Sequence, residues 1–175
     1  MQEQKFGIKR SRETTKPKAE CPEIHFYQCG NCKSMVQIMG YPTNEFKYCC
    51  NSTIKELVPI NVAEIKEKVL IDYRIVGGYN DNAIEVSWEI VDKKNHERME
   101  WIYIKTFTGG QIKYAVNTLK NSFLFALADE DAYVYCDEDP CLECTFRCKR
   151  GFTIFAYLKN GGLIRIPIER MKASW

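Results

Sequence analysis

The sequence lacks the features of membrane, secreted and nucleic-acid-binding proteins. No apolar run approaches the ~18–20 residues of a membrane-spanning helix. The opening segment, MQEQKFGIKRSR, has no apolar stretch of the kind that marks a secretory signal, so we expect a cytoplasmic location. Lys and Arg total 25 against 23 Asp and Glu, and the net charge of +2 gives no electrostatic reason to expect a nucleic-acid partner.

Histidine is scarce, whereas cysteine is abundant. The 175 residues contain two histidines, His25 and His96, and nine cysteines. Because there is no secretory signal and the number of thiols is odd, metal ligation is favoured over a disulfide framework. Four cysteines fall at 29–50 and four at 136–148, while Cys21 stands alone. Two sets of four are what two tetrathiolate metal sites require.

The chain divides into three segments of different composition. Residues 1–24 carry six Lys or Arg and two prolines, which predicts a disordered basic arm. Residues 25–59 hold the first cysteine set and are too few to bury a core, so we expect a metal to clip this unit together. Asn61 then caps a predicted short helical turn in NVAEIKEKV.

Strand patterns dominate residues 60–175. AIEVSWEIV alternates apolar and polar side chains, and hairpin signals occur at Gly109-Gly110 and at 159–162, where we expect Asn160-Gly161 to form a type I′ turn. Pro167 makes the last strand an edge candidate. The sequence therefore predicts an all-β protein, in which a small metal-clipped unit precedes an antiparallel β-sandwich.

The first cysteine set has an informative spacing. Cys29 and Cys32 form a C-x2-C knuckle, and Cys49 and Cys50 follow as an adjacent pair. Four thiolates in tetrahedral coordination suit zinc or iron. Zinc ribbons repeat the C-x2-C spacing, whereas an adjacent pair forces a distorted tetrahedron. On spacing alone, a redox iron site and a structural zinc knuckle both remain open.

The sequence resembles the desulfoferrodoxin family over about residues 25–136. YQCGNC and KYCCN look like the desulforedoxin module, which binds one iron through a C-x2-C and a later Cys-Cys pair. LVPINVAEIKEKV looks like the linker to the superoxide reductase domain, and MEWIYI, GGQIKY and SFLFALADEDAYVYC look like strands of that domain. The resemblance implies iron at the first cysteine set, a desulforedoxin-like unit, an immunoglobulin-like sandwich, a homodimer and a redox donor such as a rubredoxin-like carrier.

In that family, superoxide is reduced at a ferrous iron bound by four imidazoles and one axial thiolate. The resemblance places the thiolate on Cys136 and an assisting Glu-Lys pair on Glu67 and Lys68, which can also be interpreted as a solvated charged pair. The histidine positions fall on Val69, near Val91, on Glu97 (with His96 as a one-residue shift) and on Asp139. Since the chain has only two histidines, we predict that the usual superoxide-reducing centre is absent.

The second cysteine set follows the spacing C-x4-C-x2-C-x3-C and consists of Cys136, Cys141, Cys144 and Cys148. Its first three cysteines match the plant-type [2Fe–2S] run, but the fourth ligand of that cluster is distant in sequence. A close Cys148 favours a compact single-metal site, holding zinc or iron, or another cluster type. The alternative is a set of reduced or paired cysteines, since the carboxylates at 137–139 raise nearby thiol pKa values and weaken metal binding.

The cysteine spacing together with the resemblance to the desulfoferrodoxin family implies an iron-binding redox protein of that type. One-electron transfer would take place at the first cysteine set, in a function related to superoxide detoxification. Two alternatives remain open. The first is an active superoxide reductase with an unusual ligand set at Cys136, His96 and nearby carboxylates, and the second is a structural or binding protein that zinc merely clips together.

Overall fold

β-Strands form nearly all of the regular structure of the chain, so the all-β prediction is confirmed. The structure is a computed structural model, and it describes residues 22–40, 49–77, 82–92, 97–116, 119–128, 131, 133–134, 149–150 and 152–168. Residues 1–21 of the predicted arm lie outside these ranges. Within the ranges, no helix has the length and hydropathy that crossing a membrane requires.

The strands follow one another in the order β1 (Ile24–Cys29), β2 (Met35–Met39), β3 (Ile54–Glu56), β4 (Ile60–Asn61), β5 (Val69–Val76), β6 (Ala83–Ile90), β7 (Met99–Lys105), β8 (Gly110–Tyr114), β9 (Ser122–Ala126), β10 (Tyr133–Val134), β11 (Lys149–Arg150), β12 (Phe152–Leu158) and β13 (Gly162–Ile168). A single-turn 3-10 helix, Val62–Glu64, precedes β5. Asn61 caps it, because the Asn61 side-chain oxygen accepts a hydrogen bond from the Ala63 N–H at 2.9 Å. The predicted N-cap is therefore confirmed.

Two sheets form a β-sandwich. One sheet has the strand order β4-β13-β12-β7-β8 and the other β5-β6-β9. The pairs are antiparallel apart from β4, which runs parallel to β13. The buried core between the sheets draws on both of them, with Ile84 and Phe125 on one side and Ile102 and Ile154 on the other. The predicted sandwich is thus present.

Period-two alternation explains how β6 lies on this core. Ile84 and Val86 are fully buried and Trp88 is 7% exposed, whereas Glu89 points away from the core and is exposed. Successive side chains of a strand point to opposite faces, so the apolar set faces inward. The Trp88 ring then packs on Phe123 with centroids 4.9 Å apart.

The β12–β13 hairpin differs from its predicted turn type. Leu158 pairs with Gly162, so three residues form the loop. A type I′ turn would need Asn160 and Gly161 at positive φ, whereas the residue that adopts positive φ is Gly162, at 83°. The type I′ prediction is wrong. Three-residue loops instead end in a left-handed residue that forms a bulge, and glycine takes that position without steric penalty.

Pro167 lies in a strand whose outer side is only partly covered by the described residues. β13 pairs along its whole length with β12, where Pro167 faces Thr153. On the other side, β4 covers only Ile164 and Arg165. Proline has no N–H to donate, so it fits the uncovered part of a strand.

A small third sheet, β2-β1-β3, lies on the outer face of the five-stranded sheet. Phe26 of β1 enters a second buried cluster there, with its ring centroid 5.0 Å from Trp101 and 5.3 Å from Phe155. Met35 and Leu57 pack around the same cluster. This aromatic contact packs the small sheet against the sandwich, and the strands of the small sheet lead into the loops of the first cysteine set.

Candidate metal centre

The C-x2-C knuckle begins at the last residue of β1. Cys29 is fully buried, and its backbone N–H donates to Ser34 O at 3.0 Å while its carbonyl accepts from the Lys33 N–H at 3.2 Å. Lys33 has φ 60°, a left-handed conformation that turns the chain back toward β2. These hydrogen bonds close the loop, so the Cys29 and Cys32 side chains point toward a common site.

The second half of the site is a tight turn at the adjacent cysteines. Cys49 and Ser52 exchange backbone hydrogen bonds of 3.0 and 2.8 Å, and both Cys50 and Asn51 have positive φ, at 50° and 56°. Two consecutive left-handed residues reverse the chain sharply, and they let neighbouring side chains approach a common point. A Cβ on Gly30 would lie 3.3 Å from the Ser52 hydroxyl, so the glycine lets the two loops come close together.

The two loops bring the cysteine sulfurs together. One Sγ each from Cys29, Cys32 and Cys49 lie within 4.8 Å of one another. Cys32 Sγ is 3.5 Å from Cys49 Sγ, which is 3.8 Å from Cys50 Sγ, and all four are free thiols. Metal–sulfur bonds of about 2.3 Å at tetrahedral angles place sulfurs about 3.8 Å apart. The sulfurs of Cys29, Cys32 and Cys49 are therefore close enough to share one metal ion, and Cys50 Sγ lies beside this group of three without belonging to it.

The thiols differ in exposure and in acidity. Cys29 is buried, whereas Cys32 and Cys50 are exposed. The Ser34 hydroxyl, 3.1 Å from Cys32 Sγ, and the Ser34 backbone lower the pKa of Cys32 to about 6. The pKa of Cys49 is raised to about 12, because its thiol donates to the neighbouring Cys32 sulfur. The pKa of Cys50 is also raised, by its hydrogen bond to Cys32. Spacing did not predict the role of Ser34, although a hydroxyl two residues after Cys32 was a visible signal.

His25 lies at the start of β1, four residues before Cys29, and does not join the cluster. His25 Nδ1 is hydrogen-bonded to Glu56 Oε1 at 2.8 Å across β1 and β3. Its Nε2 is buried, makes no hydrogen bond within the described part of the chain and lies 4.0 Å from a Glu23 carboxylate oxygen. Among the described residues, the group of side chains that are close enough to hold a metal consists of the thiols of Cys29, Cys32 and Cys49.

The structure also describes several positions to which the family resemblance assigns a catalytic role. Glu67 is exposed and Lys68 is half-buried. The Lys68 carbonyl accepts from the Val91 N–H at 2.9 Å, so the predicted Glu-Lys pair and two of the predicted histidine positions do lie together. Val69 is fully buried in the core and Val91 is 46% exposed, so neither position offers a metal-binding atom.

An open groove of about 350 Å³ lies beside Val69. Lys66, Asp72 and Glu89 line it, together with Trp88 and Asn121. None of its described lining residues is a histidine or a cysteine. The groove therefore supplies no imidazole or thiolate to replace the missing ligands.

Glu97, at another predicted histidine position, has a different role. It is 8% exposed, and its Oε2 accepts a hydrogen bond from the Asn160 N–H at 3.3 Å. The adjacent backbone is tied to the same hairpin, since the Lys159 N–H donates to Arg98 O at 3.1 Å. Glu97 thus binds the β12–β13 turn, a structural contact that sequence reasoning did not predict.

The four cysteines of the second set, together with His96 and Asp139, lie outside the described residues. The strands on either side of the second set are described, and β10 pairs with β11 through Tyr133–Arg150 and Val134–Lys149. The pairing places Val134 and Lys149, the described residues on either side of this segment in sequence, opposite each other.

Comparisons with known proteins agree with this architecture at the level of the fold. No protein-family model matches the sequence, and no curated protein matches it. The structure is similar to the crystal structure of the superoxide reductase from Treponema pallidum, with a TM-score of 0.54 and 15% sequence identity over 82% of this chain and 98% of that chain. At this identity the likeness shows a shared fold alone.

Proposed function

We propose that the chain is a redox protein that transfers single electrons at an iron bound by the first cysteine set, in a role related to superoxide detoxification. One observation carries the proposal: three of the four cysteine sulfurs lie within 4.8 Å of one another, and Cys50 Sγ is 3.8 Å from Cys49 Sγ. The superoxide reductase fold supports a redox role.

The donor set fits a single soft metal ion. Four thiolates match the ligand preference of iron and zinc, and an iron bound in this way supplies one-electron exchange between its ferrous and ferric states. The protein contributes a hydrogen-bonded knuckle at Cys29, a sharp turn at Cys50 and an aromatic contact that packs β1 against the sandwich. Such a cage holds the sulfurs in place, which favours electron transfer with little rearrangement.

Metal content and colour test the proposal directly. We expect purified protein to be red and to hold one iron in the first cysteine set, with thiolate-to-iron charge-transfer absorption. Replacing Cys29, Cys32 or Cys49 with serine should remove this iron and its absorption, because each change removes a strong thiolate ligand. Cys21→Ser is the matched control, since Cys21 stands apart from both cysteine sets and the iron should be retained.

A colourless protein with zinc in the first set would contradict electron transfer at this site. It would support the alternative of a structural or binding protein that zinc clips together. Loss of the iron in Cys21→Ser as well would show that iron content follows folding or expression and not ligation by the named cysteines.

Superoxide reduction at the rate typical of the family is not expected. Val69 is buried and aliphatic, Val91 has no metal-binding atom, and Glu97 binds a hairpin turn. Stopped-flow measurement of superoxide decay with reduced protein checks this. A fast, protein-dependent decay would favour the alternative of a reductase with an unusual ligand set around Cys136.

A second metal, zinc or iron, is proposed for Cys136, Cys141, Cys144 and Cys148. The pairing of β10 with β11 on either side of this segment supports it, because Cys136 and Cys148 are each within two residues of paired strands. We expect two metals per chain, and Cys136→Ala should remove one of them while the absorption of the iron in the first cysteine set stays. One metal per chain in both proteins would contradict the second site.

The proposed partners follow from the family resemblance and from the exposure of the thiols. Cys32 and Cys50 are exposed, so a rubredoxin-like carrier can approach the centre from that side. We also propose a homodimer and a cytoplasmic location. Sedimentation equilibrium tests the dimer, and the rate of reduction by a rubredoxin tests the carrier.

A further inference from the structure

A glutamine connects the sandwich to the metal-binding knuckle. Gln28, the residue directly before Cys29, donates a hydrogen bond from Nε2 to the Tyr157 hydroxyl at 2.8 Å, in a partly buried position. Gln28 Nε2 also lies 3.5 Å from Lys33 O, at the other end of the knuckle. One side-chain amide thus contacts both the sandwich and the left-handed residue that follows Cys32.

Tyr157 is a rigid partner for this amide. It belongs to β12 in the five-stranded sheet, it is 5% exposed, and its ring stacks on Trp101 with centroids 5.4 Å apart and an interplanar angle of 12°. The rest of the cluster around it is largely aromatic, with Phe26 and Phe155 among its members. A hydroxyl in such apolar surroundings needs a hydrogen-bond partner, and Gln28 provides one.

We propose that Tyr157 positions the knuckle of the metal centre through Gln28, and so controls how tightly the cysteine cluster holds its metal. The inference rests on the proposed metal binding by the first cysteine set. Residues that orient metal ligands through hydrogen bonds affect metal affinity although they do not touch the metal. Tyr157 would act in this way from the sandwich, about 125 residues along the chain from the cysteines that it orders.

Cobalt-loaded protein tests the proposal without any activity assay. We expect Tyr157→Phe, which removes the hydroxyl and keeps the ring, to release Co²⁺ to a chromogenic chelator about three- to tenfold faster than the unchanged chain. The thiolate-to-cobalt absorption bands should shift as the ligand geometry relaxes. The far-ultraviolet circular dichroism should stay the same, which would show that the band shift does not come from a loss of the fold.

Tyr103→Phe is the matched control. Tyr103 belongs to the same cluster, is 4% exposed, and its hydroxyl is hydrogen-bonded to Gln37 of the small sheet, away from the knuckle. Its removal should leave the release rate and the cobalt bands unchanged. Equal behaviour of the Tyr103→Phe and Tyr157→Phe variants would overturn the proposal.

A double-mutant cycle tests whether Tyr157 acts through Gln28. Gln28→Leu alone should also speed release, and adding Tyr157→Phe to it should have little further effect, because the two groups form one interaction. Additive effects would overturn the route through Gln28. If the unchanged chain binds Co²⁺ without thiolate-to-cobalt bands, the proposed metal site is wrong as well. If the unchanged chain shows these bands, and Tyr157→Phe alters neither the bands nor the release rate, only the role of Tyr157 is wrong.

Discussion

At the scale of single residues, Ser34 makes one thiol of the cluster different from its neighbours. Its hydroxyl and backbone hydrogen-bond to Cys32 and lower the pKa of that thiol to about 6, whereas the pKa of Cys49 rises to about 12. A lowered pKa means that the thiolate is present above pH ~6 and is lost as the pH falls through that value. Since the thiolate is the nucleophile, Cys32 should be the reactive cysteine of the metal-free site.

We therefore predict that iodoacetamide alkylates Cys32 first in metal-free protein at pH 7. Peptide mass spectrometry across a pH series should show the rate at Cys32 rising through pH ~6, while Cys49 stays slow. Ser34→Ala should move the rise at Cys32 to higher pH. Ser52→Ala, in the opposite loop, is the control and should leave the profile unchanged. An unchanged profile in Ser34→Ala would contradict the role of the hydroxyl.

The spacing of the cysteines predicted a group of four sulfurs, of which those of Cys29, Cys32 and Cys49 lie together, but it did not predict how the backbone brings them there. C-x2-C and an adjacent pair are local patterns, so the grouping of Cys29, Cys32 and Cys49 could be expected from sequence. The left-handed conformations of Lys33 and Cys50 could not, because such conformations are uncommon for residues with a side chain and no glycine marks them. Closure of the loops imposes them.

At the scale of the element, the β12–β13 hairpin is held by a buried carboxylate. Glu97 Oε2 accepts from the Asn160 N–H at 3.3 Å, inside a region where Glu97 is 8% exposed. We predict that Glu97→Ala lowers the free energy of unfolding by about 1 kcal/mol, the typical contribution of one hydrogen bond. Urea unfolding measures this change. The metal content should stay the same, because Glu97 serves the turn and not a metal site.

Glu97→Gln is the matched control for this prediction. The amide oxygen can still accept from the Asn160 N–H, so most of the stability should be retained. Metal loss in Glu97→Ala without a change in stability would contradict the structural role of Glu97. It would indicate instead that Glu97 is a metal ligand, as the histidine at this position is in the family that the sequence resembles.

Strands were easier to predict than the connections between them. Alternation identified β6, because burial of one face imposes a period of two on the sequence. The turn after β12 was assigned the wrong type, although its Asn-Gly pair is a strong signal. The loop has three residues, and the left-handed position shifts to Gly162. Register decides the turn type, and register depends on packing with β7, which a local pattern does not contain.

At the scale of the whole molecule, the outer face of the five-stranded sheet is a second buried surface. β7 and β12 are buried on both faces: Ile102 and Ile154 face the core, while Trp101, Tyr103 and Phe155 face the small sheet. Nearly continuous apolar sequences such as MEWIYI and FTIFAYL are typical of strands covered on both sides. The sequence thus carried a signal that something covers this face. The sequence did not indicate that the small sheet covers this face, because Phe26 is about 75 residues from Trp101 along the chain.

This arrangement leads to a prediction for metal removal. The core cluster of the sandwich takes none of its members from the small sheet, so the sandwich should stay folded without metal. The small sheet has too little apolar area to remain ordered alone, and it should loosen when its clip is removed. Trp101 would then lose its contact with Phe26 and become more exposed, while Trp88 in the main core would not.

Chelation followed by fluorescence and circular dichroism measures both halves of the prediction. We expect the tryptophan emission to move to longer wavelength while the far-ultraviolet signal of the β-sandwich persists. Trp101→Phe should abolish the emission shift, and Trp88→Phe should preserve it, which assigns the change to the interface between the sheets. Loss of all β signal on chelation would contradict the independence of the sandwich core. An unshifted spectrum would show that the aromatic cluster alone holds the small sheet in place, so that the cysteines serve electron transfer and contribute little to the fold.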